Sequence, residues 1–188
     1  GAYQYSIKDR QFGSIVAKVK SDAPEAIYAS GYYFTAGPLV SQLRAAGVNC
    51  PIIGQEGYDS QKFIEIAGKA AEGIIITTSL DRDSTVPETA DFIKAFEKQA
   101  GFKADMVAAS GHTAVMVAAD AIQRAGSTDP AKILAALKTT NLKVSTGTIR
   151  FNALGEVMKA VQIQVVKDGN WHHYAVIDDP ALLAPPDK

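Results

Sequence analysis

Residues 51–78 read PIIGQEGYDSQKFIEIAGKAAEGIIITT, a helical pattern enclosed by two apolar runs. The runs are Pro51–Gly54 and Gly73–Thr78, and continuous apolar runs are typical of strands buried on both faces of a parallel sheet. Between them, Asp59 or Ser60 can cap a helix, because short oxygen-bearing side chains accept the first free N–H groups of a helix. The stretch therefore predicts a strand–helix–strand unit with a right-handed crossover.

The residues before this unit repeat the same alternation. Helices are predicted over about 10–21 and from Thr35 to Ala46, with a strand over 26–29 between them. Pro38 is compatible with the second helix if it lies in the first turn, where its missing N–H costs nothing. Alternating strands and helices with short loops predict an α/β fold, a parallel three-layer α/β/α lobe.

The sequence changes from apolar to polar, turn-forming residues after Leu80. Residues 81–85 are polar and turn-like, which favours a hinge or linker. Helical patterns and then strands follow, with a hairpin signal at Asp168-Gly169-Asn170. The predicted elements are helices over 87–100, 105–125 and 130–138, strands over 148–151, 161–167 and 171–177, and a Pro-rich, frayed tail over 178–188.

Composition excludes several functional classes. The 188 residues carry 19 basic and 20 acidic side chains, a net charge of -1, without the basic excess of nucleic-acid binders. No apolar run approaches the ~20 residues that span a bilayer. Cys50 is the single cysteine, so neither an internal disulfide nor a Cys-rich metal site can form. An ordinary globular protein that does not bind nucleic acid is expected.

Catalytic and metal motifs are not apparent in the sequence. No nucleophile elbow, phosphate loop or dinucleotide fingerprint occurs, and no cofactor is predicted. Asp81, Asp83 and Glu88 fit a solvated hinge better than a calcium loop, which needs more oxygen ligands and a glycine at the bend. His172 and His173 point to opposite faces of a strand, so they do not form a metal pair. His112 has either a structural or a pocket-lining role.

Two segments directly follow predicted strands and are candidates for ligand contacts. They are Ser30-Gly31-Tyr32-Tyr33 and Gly54-Gln55-Glu56-Gly57. Open α/β sheets bind ligands at the carboxyl ends of their strands. Tyr32 offers an aromatic face and a hydroxyl, and Glu56 offers a carboxylate for an ammonium group. The alternative is that Tyr32 is a core aromatic residue and Glu56 an exposed loop residue.

The sequence resembles the leucine/isoleucine/valine-binding family of extracytoplasmic solute-binding proteins. The resemblance is collinear across essentially the whole chain and continues through Gly147–Asn152 and Gly155, which match a late hairpin of the family. It is carried by Asp9-Arg10-Gln11-Phe12, Gly31-Tyr32-Tyr33, 42–47, 54–60, Ala70-Ala71-Glu72-Gly73 and 118–127.

This resemblance implies a type I periplasmic binding protein, with two α/β lobes that close on a ligand and deliver it to an ABC permease. The chain would correspond to the C-terminal part of such a protein. Tyr32 and Glu56 match the family's ligand-contacting tyrosine and its acidic residue for the α-ammonium group, with Gly31 and Gln55 beside them. The segment Gly111-His112-Thr113 departs from the pattern, because many relatives have a tyrosine there.

The same resemblance implies the domain boundaries. The expected parts are residues 1–79 as the second lobe, 80–158 as the helical part of the first lobe after a hinge crossing, 159–180 as returning hairpin strands, and 181–188 as a tail. The ligand would be a branched-chain or related amino acid, and the location periplasmic.

Two other functions are compatible with the same fold and the same candidate residues. The first is a ligand-sensing regulator or receptor domain on the same fold, since one fold hosts several functions. The second is an enzyme that uses Glu56 as a general base, although the sequence offers no partner nucleophile or cofactor motif. An upstream signal peptide would favour transport over sensing.

The chain is also expected to need a partner. Gly1–Tyr5 reads as the end of a strand, which predicts further sequence before it. The helices over 87–125 have wide apolar faces that would form a large patch if left uncovered, which soluble monomers avoid. We therefore expect either a missing N-terminal segment or a homo-oligomer partner. The apolar residues in question are Phe92, Ile93, Phe96, Met106, Val107, Val115 and Val117.

Overall fold

The computed structural model describes residues 1–183, and their contacts divide the chain into two units. The first unit comprises residues 1–78 and 163–174, and the second comprises residues 79–162 and those from 175 onward. The chain therefore changes unit at three places, after Thr78, after Gln162 and after Tyr174.

The first 78 residues form alternating helices and strands, as predicted. The sequence of elements is α1 (Gly13–Asp22), β1 (Ile27–Tyr28), α2 (Tyr33–Ala45), β2 (Ile52–Gly54), α3 (Gln61–Ala67) and β3 (Ile75–Thr78). Two short 3-10 turns, Glu56–Tyr58 and Gly68–Ala71, follow β2 and α3. Of the two candidate caps for α3, the structure selects Ser60, whose side chain accepts a hydrogen bond from the Lys62 N–H at 3.2 Å.

The three strands pair in parallel, as the apolar runs predict. Ile27 lies opposite Ile52, and Ile53 lies opposite Ile75. The strands and the facing sides of the helices enclose one apolar core, because β-branched and aromatic side chains fill the space between sheet and helices. Its most deeply buried large members are Phe12, Val40, Leu43, Ile52, Tyr58, Phe63, Ile74 and Ile76.

Two local predictions in this region are wrong. The second helix begins at Tyr33, so Pro38 lies inside it and not in its first turn. The reason is that Thr35 takes part in capping instead of opening the helix: its hydroxyl donates to the Tyr32 carbonyl oxygen at 2.9 Å. Gly1–Tyr5 is irregular backbone and not a strand, because it has no ladder with any neighbour in the described residues.

The second unit begins with helices. These are α4 (Pro87–Ala100), α5 (Met106–Ala125) and α6 (Pro130–Leu137), close to the predicted bounds. A three-stranded antiparallel sheet follows, formed by β4 (Leu142–Val144), β5 (Gly147–Phe151) and β6 (Val157–Met158). The sequence indicated only the central strand, because β4 and β6 have three and two residues and are too short to show a period.

The predicted late hairpin is confirmed. It consists of β7 (Val161–Lys167) and β8 (Asn170–Ile177), joined by Asp168 and Gly169 with φ values of 51° and 71°. Positive φ at both turn residues is what a two-residue type I′ turn requires. The five-stranded sheet has the order β1-β2-β3-β7-β8, so the hairpin adds two strands to the parallel part and makes the sheet mixed.

The end of the chain is only partly described. Pro180–Leu183 forms one helical turn, α7, where the sequence predicted a frayed tail. The rest of that predicted tail, residues 184–188, lies outside the described residues. Within residues 1–183, no helix combines the length and the hydropathy that crossing a membrane requires.

Candidate ligand-binding site

The two candidate segments lie at the same edge of the sheet. Tyr28 at the end of β1 is in register with Ile53, and Gly54 at the end of β2 is in register with Ile76. Because these strands are parallel neighbours, the loops that follow them leave the sheet at its carboxyl edge, side by side.

A side chain joins the two loops directly. Gln55 Nε2 donates to the Gly31 carbonyl oxygen at 2.6 Å, and Gln55 Oε1 accepts from the Gly57 N–H at 3.0 Å. A Cβ at Gly57 would lie well inside 3.0 Å of the Gly31 oxygen, a distance that real Cβ atoms essentially never show. Glycine at position 57 is therefore required by the close approach of the two backbones. Gly31 and Gln55 hold the loops together, and their direct contact with a ligand stays a prediction.

Tyr32 stands directly after this contact. It precedes the first residue of α2 and its side chain is 53% exposed, so the reading of Tyr32 as a core aromatic residue is wrong. Its ring stacks on Phe34, with centroids 5.7 Å apart and planes 4° from parallel. The Arg10 guanidinium lies 5.2 Å from the Phe34 ring centroid on the same cluster. Tyr32 thus presents a braced aromatic face and a hydroxyl at the edge of the sheet.

Glu56 occupies the equivalent place on the second loop. It opens the 3-10 turn Glu56–Tyr58 and is half-buried. On one side Gln55 ties the turn to Gly31, and on the other side Asp59 accepts a hydrogen bond from the Thr78 hydroxyl on β3. Asp59 and Thr78 are 3% and 2% exposed, so this second tie is inside the protein. The carboxylate of Glu56 is therefore carried by a turn that is fixed at both ends.

The 3-10 turn Glu56–Tyr58 packs against the protein interior through aromatic side chains. Tyr58 is fully buried, stacks on Phe63 with centroids 5.1 Å apart, and packs against Gly54. Burial raises the pKa of the Tyr58 hydroxyl well above its usual value, and the same cause raises the pKa of Tyr5. Phe63 in turn stacks on Trp171 of β8, whose indole N–H donates to the Ser60 carbonyl oxygen at 3.3 Å.

Sequence reasoning missed the role of Asp59. Its position just before a helix made it a candidate cap, equal to Ser60. The structure gives the cap to Ser60 and uses Asp59 as the buried partner of Thr78. No local sequence pattern links positions 59 and 78, because only the pairing of β2 with β3 brings them together.

His112 forms a separate polar network within the second unit. Its Nδ1 lies 2.9 Å from the Ser145 hydroxyl, and that hydroxyl donates to the Ala109 carbonyl oxygen at 3.1 Å. The imidazole therefore donates from Nδ1, since the serine proton is already used. The ring also packs on Phe92, 4.8 Å between centroids, and lines a cavity of about 340 Å³ with Glu88, Asp91 and Lys143. His112 thus has both a structural contact and a surface on a cavity.

The acidic residues near the second unit's start form local turn contacts. The Asp83 N–H donates to Asp81 Oδ1 at 3.0 Å, which is a turn-type bond. Across the described part of the chain, His, Cys, Asp and Glu side chains form no group of three or more that could hold a metal ion.

Comparison with known proteins identifies a family that matches most of this chain. The family model described as periplasmic binding protein matches residues 1–170. The chain is 28% identical over 151 residues to the leucine-, isoleucine-, valine-, threonine- and alanine-binding protein of Pseudomonas aeruginosa. It is 30% identical over 151 residues to a Leu/Ile/Val-binding protein homologue of Brucella melitensis. Each of these alignments covers 79% of this chain and 40% of the relative.

Solved structures agree with the sequence relatives. The leucine-binding protein LivK of Thermotoga maritima matches with a TM-score of 0.85 and 32% identity, over 93% of this chain and 50% of that one. The fold is also shared with the branched-chain amino acid binding protein LivJ of Streptococcus pneumoniae, solved with isoleucine, with a TM-score of 0.83 and 24% identity over 92% of this chain and 50% of that one.

These relatives are named as binding proteins, not enzymes, and this chain spans about 40% of the length of the curated ones and about half of the solved ones. The family match covers most of the sequence, and the structural neighbours have the type I fold. The chain belongs to the periplasmic binding protein family.

Proposed function

We propose that this chain forms part of the solute-binding component of an ABC transporter, binding a branched-chain or related amino acid and delivering it to a permease. The observation that carries the proposal is the joined pair of loops. Tyr32 and Glu56 each follow a residue of the Gly31–Gln55 contact, so an aromatic face and a carboxylate leave the same edge of the sheet. Such a pair suits the apolar side and the ammonium group of an amino acid.

The proposed mechanism is binding without chemical conversion. Residues 1–79 would belong to one lobe, residues 80–158 to the other, and the strands over 159–180 would return the chain between them. The three places where the chain changes unit support this division. A ligand that touches both lobes stabilises the closed state, because only that state makes both sets of contacts. The place of action would be the periplasm.

The apolar faces predicted over 87–125 are partly covered by the chain itself, because Phe92 and Val117 are buried, so the prediction is wrong for these two residues. An exposed part remains on α5 and supports the need for additional protein. Val107 and Val115 on α5 are 67% and 68% exposed, and Ile122 on the same helix is 42% exposed. These positions recur at helical spacing and form one apolar stripe. We propose that the remainder of a longer protein, or another copy of the chain, covers this stripe.

Calorimetric titration tests the ligand class. Leucine, isoleucine and valine would be titrated into the longer protein that carries this sequence, beside 4-methylpentanoic acid, which has the carbon skeleton of leucine without the amine. We expect binding of at least one amino acid and no measurable binding of the deaminated acid, because Glu56 would lose its charged partner. Equal binding of leucine and its deaminated analogue, or no binding of any amino acid, would contradict the proposal.

A further inference from the structure

The segment that follows the 3-10 turn Glu56–Tyr58 (the Glu56 turn) is attached to the late hairpin. The Trp171 indole N–H donates to the Ser60 carbonyl oxygen, and Gln61 Nε2 donates to the Gly169 carbonyl oxygen, both at 3.3 Å. These bonds join positions that are 111 and 108 residues apart in the chain, and both lie within the first unit. The tip of the hairpin and the start of β8 are therefore direct neighbours of the turn that carries Glu56.

Three stacked rings connect the same two segments inside the core. Tyr58 stacks on Phe63 with centroids 5.1 Å apart, and Phe63 stacks on Trp171 with centroids 5.7 Å apart. Tyr58 and Phe63 are fully buried, and Trp171 is 3% exposed. Because Tyr58 ends the turn that Glu56 opens, the stack runs from this turn to β8.

Neither the Glu56 turn nor α3 is stable through its own backbone. The turn has three residues, and 3-10 hydrogen bonds have poor geometry. The helix α3 has seven residues, fewer than the ~12 that an isolated helix needs in water. Packing must therefore position both elements, and Trp171 contacts both the ring of Phe63 and the backbone of the cap residue Ser60.

The hairpin is a fixed support because its base is bonded to the residues just before β3. The Val166 N–H donates to the Ile74 carbonyl oxygen, and the Gly73 N–H donates to the Val166 carbonyl oxygen, both at 2.9 Å. At the tip, the Asp168 N–H donates to the Glu72 carboxylate at 3.0 Å. The indole is thus supported from a part of the sheet that does not belong to the candidate site.

We propose that Trp171 is a positioning residue for Glu56: its indole fixes the rings of Phe63 and Tyr58 and thereby directs the Glu56 carboxylate towards the ligand's ammonium group. This inference rests on the proposed function of the chain as an amino-acid binder. Trp171 is buried, so it acts through the turn and not by touching the ligand. An aliphatic side chain at this position would leave a cavity beside Phe63 and remove the stacking surface that holds the ring.

A double-mutant cycle on the longer protein tests the proposal. Leucine, isoleucine and valine are titrated calorimetrically into wild type, Trp171→Leu, Glu56→Ala and the double variant. We expect Trp171→Leu to raise the dissociation constant roughly tenfold or more when Glu56 is present and less than about twofold when it is alanine, because effects that pass through one residue are not additive. Equal effects in the two backgrounds, or no effect in either, would overturn the proposal.

Two further variants separate positioning from loss of stability. Trp171→Phe retains a ring for the stack and loses the 3.3 Å bond, so its dissociation constant should stay within about threefold of wild type. Leu43→Ala truncates a side chain of the same core near the end of α2, whereas the candidate site lies at the start of α2. This variant should unfold more easily and bind as wild type does. An affinity loss in Leu43→Ala as large as that in Trp171→Leu would overturn the proposal.

Amide hydrogen exchange on the ligand-free longer protein tests the support of the turn without any ligand. The Tyr58 and Asp59 N–H groups donate to the Gln55 and Glu56 carbonyl oxygens at 2.9 and 3.0 Å. Both amides should exchange roughly tenfold faster in Trp171→Leu than in Trp171→Phe, because the turn opens locally when its packing is lost. Equal exchange would overturn the role of Trp171 even if the amino acids bind. Failure of wild type to bind any of the three amino acids would overturn the proposed function instead, and the exchange rates would still decide whether Trp171 holds the turn.

Discussion

Gln55 Nε2 donates to the Gly31 carbonyl oxygen at 2.6 Å and thereby joins the loops that follow β1 and β2. The two candidate ligand contacts, Tyr32 and Glu56, are the next residues on either side of this bond. Their relative position therefore depends on a side chain that belongs to neither strand. The predictions about the site follow from this hydrogen bond and from the hydrogen bond between the Thr78 hydroxyl and the Asp59 carboxylate.

Gln55→Ala should lower both stability and ligand affinity. The change removes two hydrogen bonds and leaves the Gly31 oxygen without this partner, at a cost of about 1–3 kcal/mol. Denaturant unfolding measures the loss of stability. Gln123→Ala, on the exposed surface of α5, is the control and should change the free energy of unfolding by less than ~0.5 kcal/mol. Equal effects of the two changes would show that the loops do not need Gln55.

Gly57→Ala should be strongly destabilising for a steric reason. The added methyl group would overlap the Gly31 carbonyl oxygen, and relief requires the two loops to separate. Overpacking of this kind costs about 1–3 kcal/mol. Gly111→Ala is the matched control, because the Cβ would meet nothing within 4 Å on α5 and alanine is the better helix former by about 1 kcal/mol. Thermal unfolding should shift down in the first variant and up or not at all in the second.

Thr78→Val should loosen the turn that carries Glu56. Valine keeps the shape of the side chain but cannot donate to the buried carboxylate of Asp59, and hydrogen bonds to charged groups contribute about 1.5–3 kcal/mol. Thr77→Val, at the neighbouring half-buried position, is the control. Hydrogen exchange at the Glu56 and Gly57 amides should accelerate in the first variant only. Unchanged exchange at these amides would remove Asp59 from the support of the site.

Stability should decline at alkaline pH because of two buried tyrosines. Burial raises the pKa of Tyr58 and of Tyr5 in the folded protein. Below the unfolded pKa of about 10, both states keep these protons and the contribution is constant. Above about pH 10 the two tyrosines ionise in the unfolded state before they ionise in the native state. The unfolded state then binds fewer protons than the native state and becomes more stable relative to it. The free energy of unfolding therefore falls as pH rises above about 10.

The phenylalanine variants isolate this effect. Tyr58→Phe should flatten the alkaline decline in denaturant midpoints, and Tyr5→Phe should flatten it as well, because burial raises the pKa of both hydroxyls. An alkaline decline of the same slope in Tyr58→Phe would contradict the assignment.

Local signals predicted most of the fold. The Ser60 cap and the Asp168–Gly169 turn are decided within a few residues, so periodicity and turn chemistry located α3 and the β7–β8 hairpin. The position of Pro38 could not be derived in this way. The α2 boundary depends on how Thr35 bonds to the backbone at Tyr32, and several capping arrangements fit the same sequence.

The candidate site was predicted less completely than the fold. Tyr32 and Glu56 could be identified from the sequence, because each of them lies in a segment that directly follows a predicted parallel strand. The ties that fix them, Gln55 to Gly31 and Asp59 to Thr78, join residues 24 and 19 positions apart. Such bonds depend on strand order and register, which a single sequence does not contain.

The proposed role of Glu56 is tested most directly by titrating leucine, isoleucine and valine into the proposed longer protein, comparing wild type, Glu56→Ala and the exposed control Glu25→Ala. Loss of one partner from a buried charge pair costs about 2–5 kcal/mol, so we predict that the dissociation constant rises by roughly thirty-fold or more in Glu56→Ala. Glu25→Ala should bind as wild type does. Unchanged affinity in a folded Glu56→Ala variant would contradict the central claim that this carboxylate binds the ligand's ammonium group.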